Sequence, residues 1–438
     1  MEQSKARARA VPVGRASRAA RIGGAGLSIA GNMAMGGARE LLSGRRPELR
    51  GLMLTPGNIN RLTTELARMR GAAMKVGQLV SMDAGDVLPP ELAQIISRLR
   101  ADADFMPPKQ LRDVLDAQWG AGWMKRFKRF NVRPVAAASI GQVHEALGHD
   151  GRRMAIKVQY PGVKESIDSD VSNVGALVRM SGIVPAGIDL KPLLAEAKRQ
   201  LHEEADYARE AAELTRFGDW LEGDPRFAVP RMVEEFSGPR VLAMDFLPGH
   251  DIETLMEADQ ATRDRTVTTL LELTLRELFE FGHMQSDPNF ANYRLGEDGR
   301  ILLLDFGAAR EIAGATREGY RTLLGGLMAR DRARMDEGSL ALGVYAADTA
   351  DVHKEAILDL ILKGMDGVDA EGWFDFGADK LRRELAENGM TLAEDQAFLH
   401  VPPMDTLYVQ RKLAGMFLLA AKMRARVNLV RLFEPWLK

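Results

Sequence analysis

The sequence predicts an α+β protein of two lobes with a helical N-terminal extension. Three observations carry that expectation. From about Trp123 to Gln159, short segments rich in Phe, Val and Ile alternate with glycine turns. A Leu-Pro-Gly linker at 247–249 closes a second pair of such segments. Beyond it the apolar spacing is mainly helical to the end of the chain.

Residues 1–40 form a basic arm. Lys5, Arg7, Arg9, Arg15, Arg18, Arg21 and Arg39 face only Glu2 through residue 39. An uncharged stretch, Ile22 to Ala38, lies inside it, with six glycines and Asn32. It is too short and too glycine-rich for a membrane span. The arm fits a disordered segment, a transit peptide or a contact with an anionic membrane surface. Residues 41–110 read as a helical extension, with Leu62, Leu66 and Met69 at helical spacing. Breaks are expected at Pro89-Pro90 and Pro107-Pro108.

Residues 111–246 read as a small sheet with one helix. Strands are expected at 127–132, 143–147 and 154–159, then at 229–233 and 241–246, with one long charged helix over 190–217. Residues 247–438 read as a mainly helical lobe, interrupted by strands at 293–295 and 301–304. The apolar arc from Leu407 to Met423 reads as a core helix despite Arg411, Lys412 and Lys422.

Composition narrows the chemistry. The 438 residues are 46% hydrophobic and 27% charged, ordinary for a globular protein. A net charge of −2 sets up no field that would recruit nucleic acid. With no cysteine, disulfides and thiol nucleophiles are excluded, and a reducing compartment is expected. The seven histidines contain no His-Glu-x-x-His pair, so a zinc hydrolase has no support.

The chemical signal starts at Asp305-Phe306-Gly307, after the apolar run Ile301-Leu302-Leu303-Leu304. A buried strand ending in a carboxylate can hold magnesium, which takes one or two carboxylates plus phosphate oxygens and water. Upstream, Asp287 precedes Asn292 by five residues, the spacing of a kinase catalytic loop. There the Asp orients the nucleophile and the Asn binds metal. Between Asn292 and Asp305 a hairpin fits, with Glu297-Asp298-Gly299 at its turn. Met154-Ala155-Ile156-Lys157 is similar to the kinase Val-Ala-Ile-Lys, whose lysine contacts the α- and β-phosphates. These parts predict a protein-kinase-like fold, with Lys157, Asn292 and Asp305 meeting around one magnesium-bound triphosphate. A helix carboxylate is needed to fix Lys157; Glu203, Asp206 and Glu210 share one face, and spacing does not choose among them. The kinase glycine loop is replaced by Ala136-Ala137-Ala138-Ser139-Ile140-Gly141-Gln142, which is expected to cover the nucleotide less freely.

Several motifs together resemble the UbiB, or aarF-domain-containing, family of atypical kinases. They are Ser-Ile-Gly-Gln-Val-His at 139–144, Lys75-Val76-Gly77-Gln78, Gln159-Tyr160-Pro161-Gly162-Val163, Gln285-Ser286-Asp287-Pro288-Asn289 and Arg411-Lys412-Leu413-Ala414-Gly415. The resemblance runs from about residue 10 to the end. It implies that Lys75, Gly77 and Gln78 lie on an extension that packs over the active site and occludes a protein substrate. It implies that Glu204 and Asp206 form the family's Glu-x-Asp motif and that Glu210 is the partner of Lys157. The nucleotide set is then Ala136, Ala137, Ala138, Ser139, Gly141, Gln142, Lys157, Asp245 and Leu247, with Asn292 and Asp305 for the metal. Ser286 and Phe290 stand where many members carry Thr and Trp, and the chain looks closer to members without a C-terminal membrane anchor.

The resemblance implies ATP and Mg2+ as cofactors, a role in ubiquinone or related prenyl-lipid biosynthesis, and activity as an ATPase or small-molecule kinase. It also implies quinone-biosynthesis proteins or lipid intermediates as partners, in a cytoplasmic protein with peripheral contact at the inner membrane. The alternative is a nucleotide-gated scaffold or lipid-binding protein without turnover.

Overall fold

Trp119, Trp123, Phe127, Phe130 and Phe236 pack edge to face or tilted against one another, with ring centroids 4.6–6.2 Å apart. Around this knot grows the core of a five-stranded antiparallel sheet. The computed structural model describes residues 63, 66, 69–83, 105–138, 140–180, 190–378 and 402–437. The expectations for residues 1–62, for Pro89-Pro90 and for Ser139 lie outside these residues. By compactness the chain divides into two units, Met1–Ala211 with Arg231–Phe246, and Ala212–Pro230 with Leu247–Lys438.

In the first unit, α1 (Arg70–Asp83) continues the stretch in which Leu66 and Met69 are already buried. α2 (Pro108–Trp119) starts with proline in its first turn, where the missing N–H costs nothing, and buries Leu111, Val114 and Leu115. The strands are β1 (Phe127–Phe130), β2 (Ala136–Ala137), β3 (Gly141–Gly148) and β4 (Arg153–Gln159). β5 (Phe227–Ala228) comes next in the chain but belongs to the second unit; β6 (Val241–Asp245) completes the sheet. The order is β1-β3-β4-β6, with β2 also on β3. β3 alternates buried and half-buried residues, as a sheet with one packed face requires, whereas β4 is buried almost throughout. Met106, Leu115, Met154, Ile156, Val158 and Val241 fill the core, each burial contributing about 1.5–3 kcal/mol.

Two expectations here need correction. The segment 229–233 is not a strand: only Phe227–Ala228 pairs, while Met232 makes an isolated bridge to Met244. Pro230 follows the paired residues and has no N–H to continue the ladder. The long helix over 190–217 is two helices, α4 (Leu190–Glu204) and α5 (Tyr207–Trp220). Asp206 divides them, because its carboxylate accepts from the Arg209 N–H (3.1 Å) and so restarts the helix as a cap. A further helix, α3 (Val163–Met180), was not expected from the sequence; Val171, Val174, Leu177 and Val178 are its buried stripe. Helix α1 packs on α3 and α4.

In the second unit a four-stranded sheet runs β5-β10-β9-β7, from β7 (Gly249–Asp251), β9 (Tyr293–Gly296) and β10 (Ile301–Leu303). β9 and β10 form the expected hairpin, and Gly299 takes φ +81° at its turn, where only glycine is at ease. β8 (His283–Gln285) pairs with β11 (Ala309–Glu311). The helices are α6 (Gln260–Arg276), α7 (Gly314–Ala329), α8 (Arg332–Ala341), α9 (Asp351–Lys363) and α10 (Met404–Lys422). Among the described residues no helix is long and apolar enough to cross a membrane.

Candidate functional site

In the first unit, Lys157 is central on β4, opposite Val143 on β3 and Leu242 on β6. Its Nζ donates to Glu210 Oε1 at 2.6 Å, with only 9% and 2% of the two side chains exposed. Nζ also lies 5.4 Å from the centre of the Tyr207 ring. Of the three carboxylates that spacing left open, Glu210 is the one on the lysine, because the cap at Asp206 sets the phase of α5. Glu203 instead pairs with Arg199 on the preceding turn of α4. Glu204 pairs with Lys75 on α1, whose side chain is 6% exposed. Gly77 is buried on the same helix, and Gln78 is described in its backbone only.

The alanine-rich segment is less a loop than expected. Ala136 and Ala137 are an exposed strand paired with Val143 and Gln142, and the Ala138 N–H donates to the Gly141 carbonyl (2.9 Å), closing a tight turn. Gly141 has a packing reason: a Cβ there would meet the Val158 carbonyl oxygen at 2.4 Å. Gln142 is fully buried, and its side chain is committed inward. Its Oε1 accepts from the Met106 N–H (2.9 Å) and its Nε2 lies 2.8 Å from His144 Nε2. Asp245 is likewise engaged, by Arg152 (2.6 Å) and the Arg231 N–H (3.1 Å). Leu247 is half-buried at the first position of the second unit.

His144 Nδ1 lies 2.9 Å from the Asn131 carbonyl and donates to it, so Nε2 is the acceptor facing Gln142. Burial lowers the His144 pKa to about 4, against a smaller raising effect of the Asn131 contact. The unfolded chain therefore binds more protons between the two pKa values. Stability is complete above about pH 6.5 and falls as pH drops toward 4, by about 2 kcal/mol at pH 5. Chemical denaturation at pH 7 and pH 5 is expected to show that loss, and His144→Gln to remove it. Equal pH dependence in the variant would refute the assignment.

In the second unit, Asp287 follows β8 in the stretch that leads to a short turn at Phe290–Asn292. Its N–H donates to Gln285 Oε1 (2.8 Å), while Gln285 Nε2 donates to the Asp305 carbonyl (3.2 Å). One buried amide thus joins the two loops. Asn292 Nδ2 lies 3.4 Å from Asp287 Oδ2, and the Leu304 N–H donates to the Asn292 carbonyl (3.1 Å). The hairpin therefore brings Asn292 beside the strand end that carries Asp305. Asp305 Oδ1 accepts from the Gly307 N–H (2.9 Å), and Phe306 is buried with its ring 4.7 Å from Phe217. Hard oxygen ligands held this way suit magnesium. Among the described residues no group of three or more His, Cys, Asp or Glu side chains is gathered for a metal. A magnesium site needs no such group, because phosphate oxygens and water complete its coordination.

Sequence reasoning gave no role to the cations of α10. Arg411 Nη2 donates to Asp287 Oδ1 (3.0 Å). Lys412, 1% exposed, meets Glu277 (3.1 Å), the Tyr293 hydroxyl (2.8 Å) and the Gln285 carbonyl (3.0 Å). Burial alone would lower the Lys412 pKa; the facing Glu277 carboxylate and Tyr293 outweigh it, and the ammonium is held charged. The available signal was two adjacent cations on an otherwise apolar arc, which demand buried acceptors.

The sequence profile of the ABC1 atypical kinase-like domain matches residues 98–339. The atypical kinase COQ8, mitochondrial, of Saccharomyces cerevisiae is 38% identical over 97% of this chain and 85% of its own. The zebrafish (Danio rerio) atypical kinase COQ8B, mitochondrial, is 36% identical over 98% of this chain and 69% of its own. Among solved structures, that of the Rv3197–erythromycin complex from Mycobacterium tuberculosis is similar, with a TM-score of 0.61. It is 27% identical and the match covers 86% of this chain and 94% of that one. These matches bear out the α+β, protein-kinase-like fold and the resemblance read from the motifs: the chain belongs to the UbiB-type, ABC1 atypical kinase-like family.

Proposed function

We propose that this protein binds Mg-ATP and either hydrolyses it or transfers its terminal phosphoryl group to a small molecule, in support of ubiquinone biosynthesis. The observation that carries the reading is the ordered set Asp287, Asn292 and Asp305, fixed by one hairpin and one bridging amide. In this reading residues 111–246 supply the lysine and residues 247–438 supply the metal-binding and orienting groups. Lys157, held by Glu210, neutralises the α- and β-phosphates. Asn292 and Asp305 hold the metal, which when bound withdraws charge from the phosphate oxygens. Asp287 orients the attacking water or hydroxyl and takes up its proton. Ala136, Ala137, Ala138 and Gly141 border the nucleotide, with Asp245 and Leu247 at the linker. Such catalysis is positioning and charge neutralisation, with little covalent work for the protein.

Lys75, Gly77 and Gln78, with Glu204 and Asp206, restrict the acceptor in this reading; the buried Lys75–Glu204 pair supports it. The basic arm, residues 1–40, makes peripheral contact with an anionic membrane surface where lipid intermediates and biosynthetic partners gather. The test joins two measurements. The purified chain is expected to hydrolyse ATP only with magnesium present. A strain lacking the protein is expected to lose ubiquinone and accumulate an early precursor. Magnesium-independent hydrolysis, or an unchanged quinone profile, would defeat the corresponding half.

A further inference from the structure

Helix α10 meets the loop at 285–292 through three residues on one face. Arg411 reaches the Asp287 carboxylate at 3.0 Å, and Lys412 reaches the Gln285 carbonyl at 3.0 Å. Gly415, one turn beyond Arg411, lies against Pro288: a Cβ added there would stand 2.1 Å from Pro288 Cβ and 2.7 Å from its Cγ. The helix backbone therefore sets how far the loop can sit from it. Lys412 anchors that face, since it is buried against Glu277 on the turn Glu277–Phe281 and cannot slide without stranding a charge.

We infer that Arg411 and Gly415 are positioning residues for Asp287: Gly415 fixes the height of the loop and Arg411 fixes the direction of the carboxylate. The inference rests on the role given to Asp287 above. Its consequence is a division of labour. Arg411 acts on the orientation of the attacking group and not on nucleotide binding. A guanidinium at this place directs one carboxylate oxygen and leaves a neighbour, the Asn292 amide, to direct the other.

The experiment uses the full chain and reads ATP turnover, nucleotide affinity and thermal midpoint side by side. Arg411→Met is expected to lower kcat by about 10- to 100-fold, the scale of a misplacement near 1 Å. Nucleotide Kd and the thermal midpoint stay near wild type, and Arg411→Lys recovers part of the loss. Gly415→Ala is expected to lose turnover, and Gly415→Ala with Pro288→Gly to regain it, because the second change removes the atoms the new methyl would strike. Asp287→Asn serves as the reference. If Asp287→Asn is inactive but Arg411→Met turns over like wild type, the positioning role is overturned alone. If Arg411→Met loses affinity or stability in step with turnover, the role is general packing and the inference fails. Full turnover in Asp287→Asn, or none in wild type, overturns both this inference and the reading of Asp287.

Discussion

Asp305→Asn is expected to lower magnesium-dependent ATP turnover by about 10³-fold, the scale of removing one preorganised charge-stabilising group. The fold should survive intact. Asp305 Oδ1 accepts from the Gly307 N–H, and an asparagine oxygen can do the same. The Asp305 carbonyl still receives Gln285, and Phe306 stays buried. Thermal denaturation beside wild type checks that the fold is kept. The variant removes one formal negative charge from the pair proposed to hold the metal. ATP affinity should then lose its dependence on magnesium, measurable by titration with and without the metal. Wild-type turnover in this variant would remove Asp305 from the site.

Glu210→Gln is expected to destabilise the chain by about 3–5 kcal/mol, because it removes one charged partner of a buried ion pair. The pair is short and nearly sealed from water, at 2.6 Å with the glutamate side chain 2% exposed. Combining it with Lys157→Met should recover much of that loss, since two neutral groups need no desolvated charge between them. Denaturant titration of the two single variants and the double gives the coupling. Additive losses would show that the pair is not the unit of stability, and that the lysine is held by other contacts. Glu210→Gln is expected to weaken ATP binding as well, since Lys157 loses the carboxylate that aims it.

The sequence was most legible where local chemistry decides the structure. The β9–β10 hairpin followed from an apolar run, a Glu-Asp-Gly turn and a fixed distance between Asn292 and Asp305, and all three are local. The β3–β4 pair followed from short Phe-, Val- and Ile-rich segments set between glycine turns. The resemblance named Glu210, but spacing could not choose it without the helix break at Asp206, and a capping aspartate inside a charged run looks like one more charge. Only its hydrogen bond to the Arg209 N–H marks it as an end. Helix α3 was missed because its stripe of Val171, Val174 and Val178 is β-branched and reads weakly as helix. Gln142 illustrates the converse. It stands in the segment expected to border the nucleotide, yet its amide closes an interior network with Met106 and His144. The partners of Arg411 and Lys412 lie more than 110 residues away in the chain, beyond any periodicity.

The amide of Gln285 has a sense as well as a place. Its oxygen faces the Asp287 N–H and its nitrogen faces the Asp305 carbonyl. Turned over, it would set donor against donor and acceptor against acceptor, so only one orientation satisfies both neighbours. A glutamate there would offer an oxygen to the Asp305 carbonyl and push that strand end away. The side chain thus works as a polarity key, tying the registration of two loops to which way a single planar group faces.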